Sequence, residues 1–169
     1  TVFNMITGVV PLTAGEIVFQ GERIDGLEPH EITRLGIART FQNIRLFQNL
    51  SVLDNVRVAY HAHAGYGLFD GVLRTPAFAR KERELTEQAL DFLAIFKLDG
   101  IAHELARNLT YGEQRRVEIA RALACRPSLV LLDEPAAGMN PREIVQPMEL
   151  IQFIRKRLSP TVLLIEPQM

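Results

Sequence analysis

At 169 residues, with 47% hydrophobic side chains and a formal net charge of −1, the chain can bury a core and has no charge bias toward nucleic acid. No apolar run approaches the length that spans a bilayer. The single cysteine, Cys125, excludes an internal disulfide framework and fits a reducing compartment, where it reads as a small hydrophobe on a helix.

The chain opens on TVFNMITGVV. Val2, Met5, Ile6 and Val9 fall at i, i+3, i+4 and i+7 and predict a helix that buries that face. Residues 15–26 predict a pair of strands, because Ile17 and Phe19 alternate with polar neighbours and Gly21 and Gly26 mark turns. HEITRLG predicts a short helix closed by Gly36, and IARTFQN a strand ending near Gln42. Ser51 and Asp54 have capping-box spacing and open a predicted helix, VLDNVRVAYHAH. Residues 64–77 carry three glycines and a proline and predict a surface loop or insertion. KERELTEQALDFLAIFKL predicts an amphipathic helix with Leu85, Ala89, Phe92, Leu93 and Phe96 on one face. A further helix runs from about Gly112 to Arg126.

The last third changes character. SLVLLDEP and TVLLIEP are continuous apolar runs that end in acids, and the stretch between them places Ile144, Met148, Ile151 and Leu158 on a common helical face. This predicts a βαβ crossover in a parallel sheet covered on both sides, with Pro147 kinking or delaying the helix. Asp133 and Glu134 then stand at a carboxyl strand end, where such sheets bind ligands. Adjacent acids there point in different directions. One can hold a hard cation such as Mg²⁺, the other orient or deprotonate a water. The alternative is a solvated acidic turn before Pro135. Upstream, Gly112 lies at a helix start whose free N–H groups and dipole suit an anion. Glu118 and Arg121, at i, i+3, read as a solvent-side pair. Arg115 and Arg116 read as solvent-facing, His61 and His63 as surface residues, and Tyr111 as shaping the turn.

Taken together, these motifs resemble the ATP-binding subunits of ABC (ATP-binding cassette) transporters. LTYGEQRRVEIARAL is similar to the signature motif and its helix, LVLLDEP to the Walker B strand, AAGMNP to the D-loop, and Gln42 in RTFQN to the Q-loop glutamine. The resemblance implies Glu134 as catalytic carboxylate, Asp133 toward Mg²⁺, and Gln42 as a sensor of the γ-phosphate and Mg²⁺. It implies nucleotide contacts from Thr1 and from the signature residues Leu109, Thr110, Tyr111, Gly112 and Glu113. The fold it implies is an α/β, RecA-like P-loop NTPase core whose parallel sheet is incomplete at the N-terminus. Residues 1–42 and 127–169 form that core with a small antiparallel hairpin, 43–126 a helical subdomain, and 1–169 one partial nucleotide-binding domain.

LTYG, AAGMNP, ARTFQNIRLFQNLSVLDNV and the insertion at 64–77 resemble the cassettes of branched-chain amino acid importers in particular. The partners implied are transmembrane permease subunits, a second ATP-binding subunit in a homo- or heterodimer, and indirectly a periplasmic or extracellular substrate-binding protein. No nucleic acid is among them. The place implied is the cytoplasmic face of the cell membrane, as a peripheral ATPase. Phe41 and Phe47 are either a contact for a membrane subunit or subdomain core. Two other readings stay open: a soluble ABC ATPase of DNA repair or ribosomes, and a non-catalytic interaction copy.

Ahead of Thr1 the resemblance implies a phosphate-binding loop, the strand before it and an aromatic that stacks on adenine. Thr1 matches the threonine just after the loop's Mg²⁺-binding Ser/Thr. The chain is therefore expected to be a truncated piece of a longer cassette, the alternative being a member that has shed the loop. On its own it is expected to bind ATP weakly or not at all. Pro167 stands where the family has its switch His and can supply neither an imidazole nor an N–H.

Overall fold

The computed structural model describes residues 2–61, 75–134 and 160–165. The expected crossover helix with Pro147, the segment 62–74 with His63, and Thr1 and Pro167 lie outside the described residues. Among these residues three parallel strands form the central sheet, in the order β3 (Ile37–Arg39), β4 (Leu129–Asp133), β5 (Thr161–Ile165). Ile37 sits opposite Leu129, and Leu129 opposite Thr161.

Alternation along β4 divides the interior in two. Val130 and Leu132 turn to a helical layer, while Leu131 packs with Phe3, Ile24, Ile32 and Ile37 on the other face. Cover on both faces, expected for the whole sheet, holds for β4. At β5, Val162 and Leu164 pack on the helical side, but Leu163 and Ile165 remain 45% and 37% exposed. Strand β3 is shorter than IARTFQN suggests. It ends at Arg39, although Thr40 N–H still donates to Leu131 O at 3.0 Å.

Helix α1 (Val2–Ile6) buries Phe3 and Ile6 against this second cluster, not the face marked by Val2 and Val9, which are 59% and 50% exposed. The helix stops early, so Val9 lies beyond it. Gly8 turns left-handed at φ +68°, and the N–H groups of Val9 and Val10 return to Asn4 O. The hairpin of β1 (Val18–Phe19) and β2 (Glu22–Arg23) is antiparallel, as expected. Gln20 and Gly21 both hold positive φ, the two-residue turn that matches strand twist. Asp25 closes its base by accepting from Ile17 N–H at 3.1 Å. Helix α2 (Pro29–Arg34) starts with Pro29 in its first turn and Glu31 Oε2 accepting from Glu28 N–H, and Gly36 closes it at φ +98°.

The helical layer packs α3 (Val52–His61), α4 (Pro76–Ile95) and α5 (Tyr111–Ala124) through Val56, Ala89, Leu93, Val117, Ala120 and Leu123. Ser51 opens α3 as expected, accepting from Asp54 N–H at 3.0 Å. Helix α4 begins five residues before the predicted start. Thr75 Oγ1 accepts from Phe78 N–H and Pro76 occupies the first turn, so the end of the predicted loop belongs to the helix. Buried Asn55 accepts from Phe47 N–H and donates to the carbonyls of Phe47, Leu50 and Ser51, which fastens the preceding loop to α3.

Candidate functional site

The three carboxyl strand ends meet because hydrogen bonding runs on past the strands. Asp133 N–H donates to Thr40 Oγ1 at 3.4 Å, and Glu134 N–H to Ile165 O at 3.0 Å. Gln42 reaches across this edge, its Nε2 donating to Glu134 Oε2 at 3.0 Å. Glu134 has φ +45°, a conformation that costs a non-glycine residue about 1 kcal/mol or more. Its N–H is held by Ile165 O and its carbonyl by Arg115 Nη2, so the surrounding chain fixes the strained turn.

The two acids do take different partners. Asp133 Oδ2 accepts from Arg39 Nη2 at 2.9 Å, while Glu134 faces Gln42. Arg39 also donates to Asn4 Oδ1 on α1 at 2.7 Å and to Thr7 Oγ1, just past its end, at 3.1 Å. Its Nε is buried without a hydrogen-bond partner, and the guanidinium instead lies over the rings of Phe3 (5.6 Å) and Phe41 (4.9 Å). Among the described residues no group of three His, Cys, Asp or Glu side chains forms a metal cluster.

Arg115 and Glu118 depart furthest from the sequence reading. Both are 1% exposed, and they pair with each other at 2.5 Å. Arg115 Nη1 also donates to Phe41 O (2.6 Å), and Nη2 to Asp133 O (2.8 Å) and Glu134 O (3.0 Å). Glu118 accepts from Arg45 N–H at 3.2 Å. The expected Glu118–Arg121 surface pair is therefore replaced by a buried Arg115–Glu118 pair, because three backbone carbonyls converge on α5 there. Arg121 donates to Arg45 O instead, and burial pushes its guanidinium below its usual range. Arg116 is half-buried and donates to Phe96 O.

The signature residues form a self-contained turn. Thr110 is the N-cap of α5. Its N–H and hydroxyl both donate to Glu113 Oε2, at 2.9 and 2.8 Å, and its Oγ1 accepts from Glu113 N–H. The bond from Thr110 N–H is the main reason the Glu113 carboxyl lies below its ordinary value. Leu109 O accepts from Gln114 Nε2 at 3.0 Å. Tyr111 and Gly112 lie in the first turn of α5, Tyr111 44% exposed. Thr110 and Glu113 stand three apart, so this capping box was readable from spacing.

A cleft of about 710 Å³ opens between β3, α3, α5 and the segment from Phe41 to Phe47. Phe41 carries Arg45 over its ring at 4.2 Å, and Phe47 is 50% exposed beneath Arg121. Cys125 lines the cleft, and burial pushes its thiol up, in keeping with an unreactive side chain.

A family model described as ABC transporter matches residues 1–137. The chain belongs to this family. It is 46% identical over its whole length to the high-affinity branched-chain amino acid transport ATP-binding protein BraF of Pseudomonas aeruginosa. It is 43% identical, again over its whole length, to LivG of Escherichia coli strain K12, which has the same description. The chain spans 66% of each of these relatives. To the lipopolysaccharide export system ATP-binding protein LptB of the same strain it is 32% identical, over 92% of the chain and 58% of the relative. An ATP-binding cassette of an ABC transporter solved in its ADP conformation superposes with TM-score 0.79 at 28% identity, over 99% of this chain and 65% of that one. A dimeric cassette in a post-hydrolysis state with ADP and Pi superposes with TM-score 0.78 at 25% identity, over 99% of this chain and 68% of that one. The parallel sheet, helical layer and small hairpin are thus those of ABC cassettes, the α/β fold expected from the sequence.

Proposed function

We propose that the chain is the main part of the ATP-binding, ATP-hydrolysing subunit of a branched-chain amino acid importer. The observation that carries this reading is the Gln42–Glu134 pair, 3.0 Å apart at the carboxyl edge of a parallel sheet. In it, Glu134 takes a proton from, or orients, the attacking water, and the Gln42 amide holds the carboxylate toward the γ-phosphate. Asp133 and Gln42 offer oxygen donors of the kind Mg²⁺ takes, and Mg²⁺ commonly needs only one or two from protein. Asp133 fits that part because Oδ1 has no hydrogen-bond partner among the described residues, while Oδ2 is taken by Arg39. Mg²⁺ when bound would neutralise charge on the β- and γ-phosphate oxygens.

The signature turn, Leu109 to Glu113, would present the N-terminus of α5 to the nucleotide of a second ATP-binding subunit. Thr1 would stand next to the phosphates of its own. The dimeric solved cassette supports this arrangement by analogy. The cleft with Phe41 and half-exposed Phe47 suits a helix of a membrane permease subunit, which would bring the protein to the cytoplasmic face of the membrane. No helix among the described residues is long and apolar enough to cross it. An external substrate-binding protein would act only through the permease. We place the core in residues 1–42 and 127–169 and the helical subdomain in 43–126. The substrate class rests on the relatives at 46% and 43% identity, both of which are described as branched-chain amino acid transport ATP-binding proteins.

The test is Glu134→Gln in a chain extended to its relatives' full length. ATP turnover should fall by roughly 10²–10⁴-fold, with nucleotide binding retained and an ATP-bound dimer accumulating. Turnover within a few-fold of the parent would remove Glu134 from the role.

A further inference from the structure

We propose that Arg115, with Glu118, is a positioning residue that sets the geometry between Gln42 and Glu134; this rests on the reading of those two as the hydrolytic pair. Both residues are 1% exposed. What they hold is the backbone on which the pair stands.

One guanidinium gathers three carbonyls from two distant segments. Phe41 O, at 2.6 Å, immediately precedes Gln42. Asp133 O and Glu134 O, at 2.8 and 3.0 Å, form the strained turn that aims the Glu134 side chain. Glu118 neutralises the cation at 2.5 Å and, with its other oxygen, takes Arg45 N–H on the far side of Gln42. Gln42 is thus tethered on both flanks, and Glu134 at its own carbonyl, to two residues one turn apart on α5. A buried ion pair is seldom a net source of stability, so stability alone does not account for its presence. A planar fork can serve several acceptors in fixed directions, which a lysine ammonium cannot.

Sequence reading takes Arg115 as surface because a charge in a helix has no visible partner when its partners are backbone oxygens 18 or more residues away. It also explains how α5 can influence the strand edge. Arg115 follows directly on the first turn that carries Gly112, so a displacement of that turn moves the clamp.

The experiment uses the chain extended to full length, with two variants. Arg115→Lys keeps the charge opposite Glu118 but not the fork. Arg115→Met with Glu118→Leu removes both charges together, so that neither is left buried and unpaired. In both, kcat should fall by roughly 10²-fold, the scale of a small misplacement of reacting groups, with KM for ATP nearly unchanged and unfolding still cooperative. Amide exchange at residues 41–45 should quicken by about tenfold or more, in Arg115→Lys because Phe41 O and Glu118 lose the fork that holds them, and in the double variant because Arg45 N–H also loses its charged acceptor. Parental kcat in the folded double variant overturns the proposal, and so does unchanged exchange at 41–45 in Arg115→Lys. If Glu134→Gln leaves turnover intact, the functional reading falls by itself. Exchange then decides the clamp, faster exchange supporting it and unchanged exchange ending it.

Discussion

Arg39 holds Asp133 in an ion pair 2.9 Å long, and the same guanidinium hydrogen-bonds Asn4 of α1 and Thr7 just after it. The side chains are 9% and 21% exposed. The strand end and the first helix are therefore joined through one cation, and the orientation of Asp133 depends on it. Arg39→Met should destabilise the protein by about 2–4 kcal/mol, since it leaves a largely buried carboxylate without its partner. Asp133→Asn on top of it should cost less than its separate effect, giving a coupling of about 1 kcal/mol or more in a double-mutant cycle. Urea midpoints of the four proteins measure this. Effects that add within about 0.5 kcal/mol would show that the two side chains act independently.

Gly8 ends α1 at φ +68°, and a Cβ there would sit 2.5 Å from Leu27 O and 3.0 Å from Ile32 Cδ1. A side chain faces both a left-handed backbone and a carbonyl that cannot swing aside. Gly8→Ala should cost about 1–3 kcal/mol from the backbone conformation alone, and more from the contact with Leu27. Because Asn4 on α1 and Thr7 beside Gly8 both hold Arg39, the variant should also loosen it. Thermal unfolding within a degree of the parent would contradict this.

What was legible in the sequence followed local rules. The hairpin, the closing glycine of α2, the Ser51 start of α3 and the two apolar strands each depend on a few neighbouring residues. The first helix shows the limit of periodicity. Positions 2, 5, 6, 9 and positions 3 and 6 both satisfy a helical stripe, and only the place of the hairpin and α2 decides that Phe3 goes inward. At residues 75–77 loop composition outweighed a readable cap, Thr75 followed by Pro76. Within the site, Asp133, Glu134 and Gln42 could be named because motifs mark them. Arg39 could not, because Asp133, Asn4 and Thr7 are brought to it only by the fold; the Arg115–Glu118 spacing was readable, but Glu118–Arg121 has the same spacing, and only the distant carbonyls of Phe41, Asp133 and Glu134 decide between them.

Asp25 offers a pH test of the hairpin. Its hydrogen bonds from Arg23, and then from Ile17 N–H, lower its carboxyl from 3.8 to about 2. A carboxylate with a depressed folded value stabilises the fold above its unfolded value, and loses that contribution as pH falls through the folded one. The contribution should be complete above about pH 4 and gone near pH 2. Asp25→Asn should lower the urea midpoint at neutral pH, and the gap to the parent should close across that window. A gap that stays constant down to pH 2 would mean the pair does not act on stability.

Gly112 poses a different question from Gly8. It lies within the first turn of α5, in helical backbone, so no left-handed turn requires a glycine. Glycine in a helix costs about 1 kcal/mol relative to alanine, and the backbone conformation at 112 does not demand it. Close approach of a partner's phosphate to the backbone would explain it. Gly112→Ala should therefore raise the melting temperature of a full-length chain while lowering its ATP turnover. Gly112→Asp should go further, placing a negative charge beside the helix N-terminus where phosphate would arrive. It should leave ATP binding by an isolated monomer intact and lose most turnover in the dimer. Mixed dimers locate the effect. With Gly112→Asp in one subunit and Glu134→Gln in the other, both lesions fall on one nucleotide and the second site keeps these residues. With both changes in one subunit, each site carries one lesion. The first arrangement should hydrolyse ATP faster. Equal rates with intact monomer binding would mean that one damaged site silences the pair. Loss of binding by the Gly112→Asp monomer would place Gly112 at its own nucleotide and end the assignment across subunits.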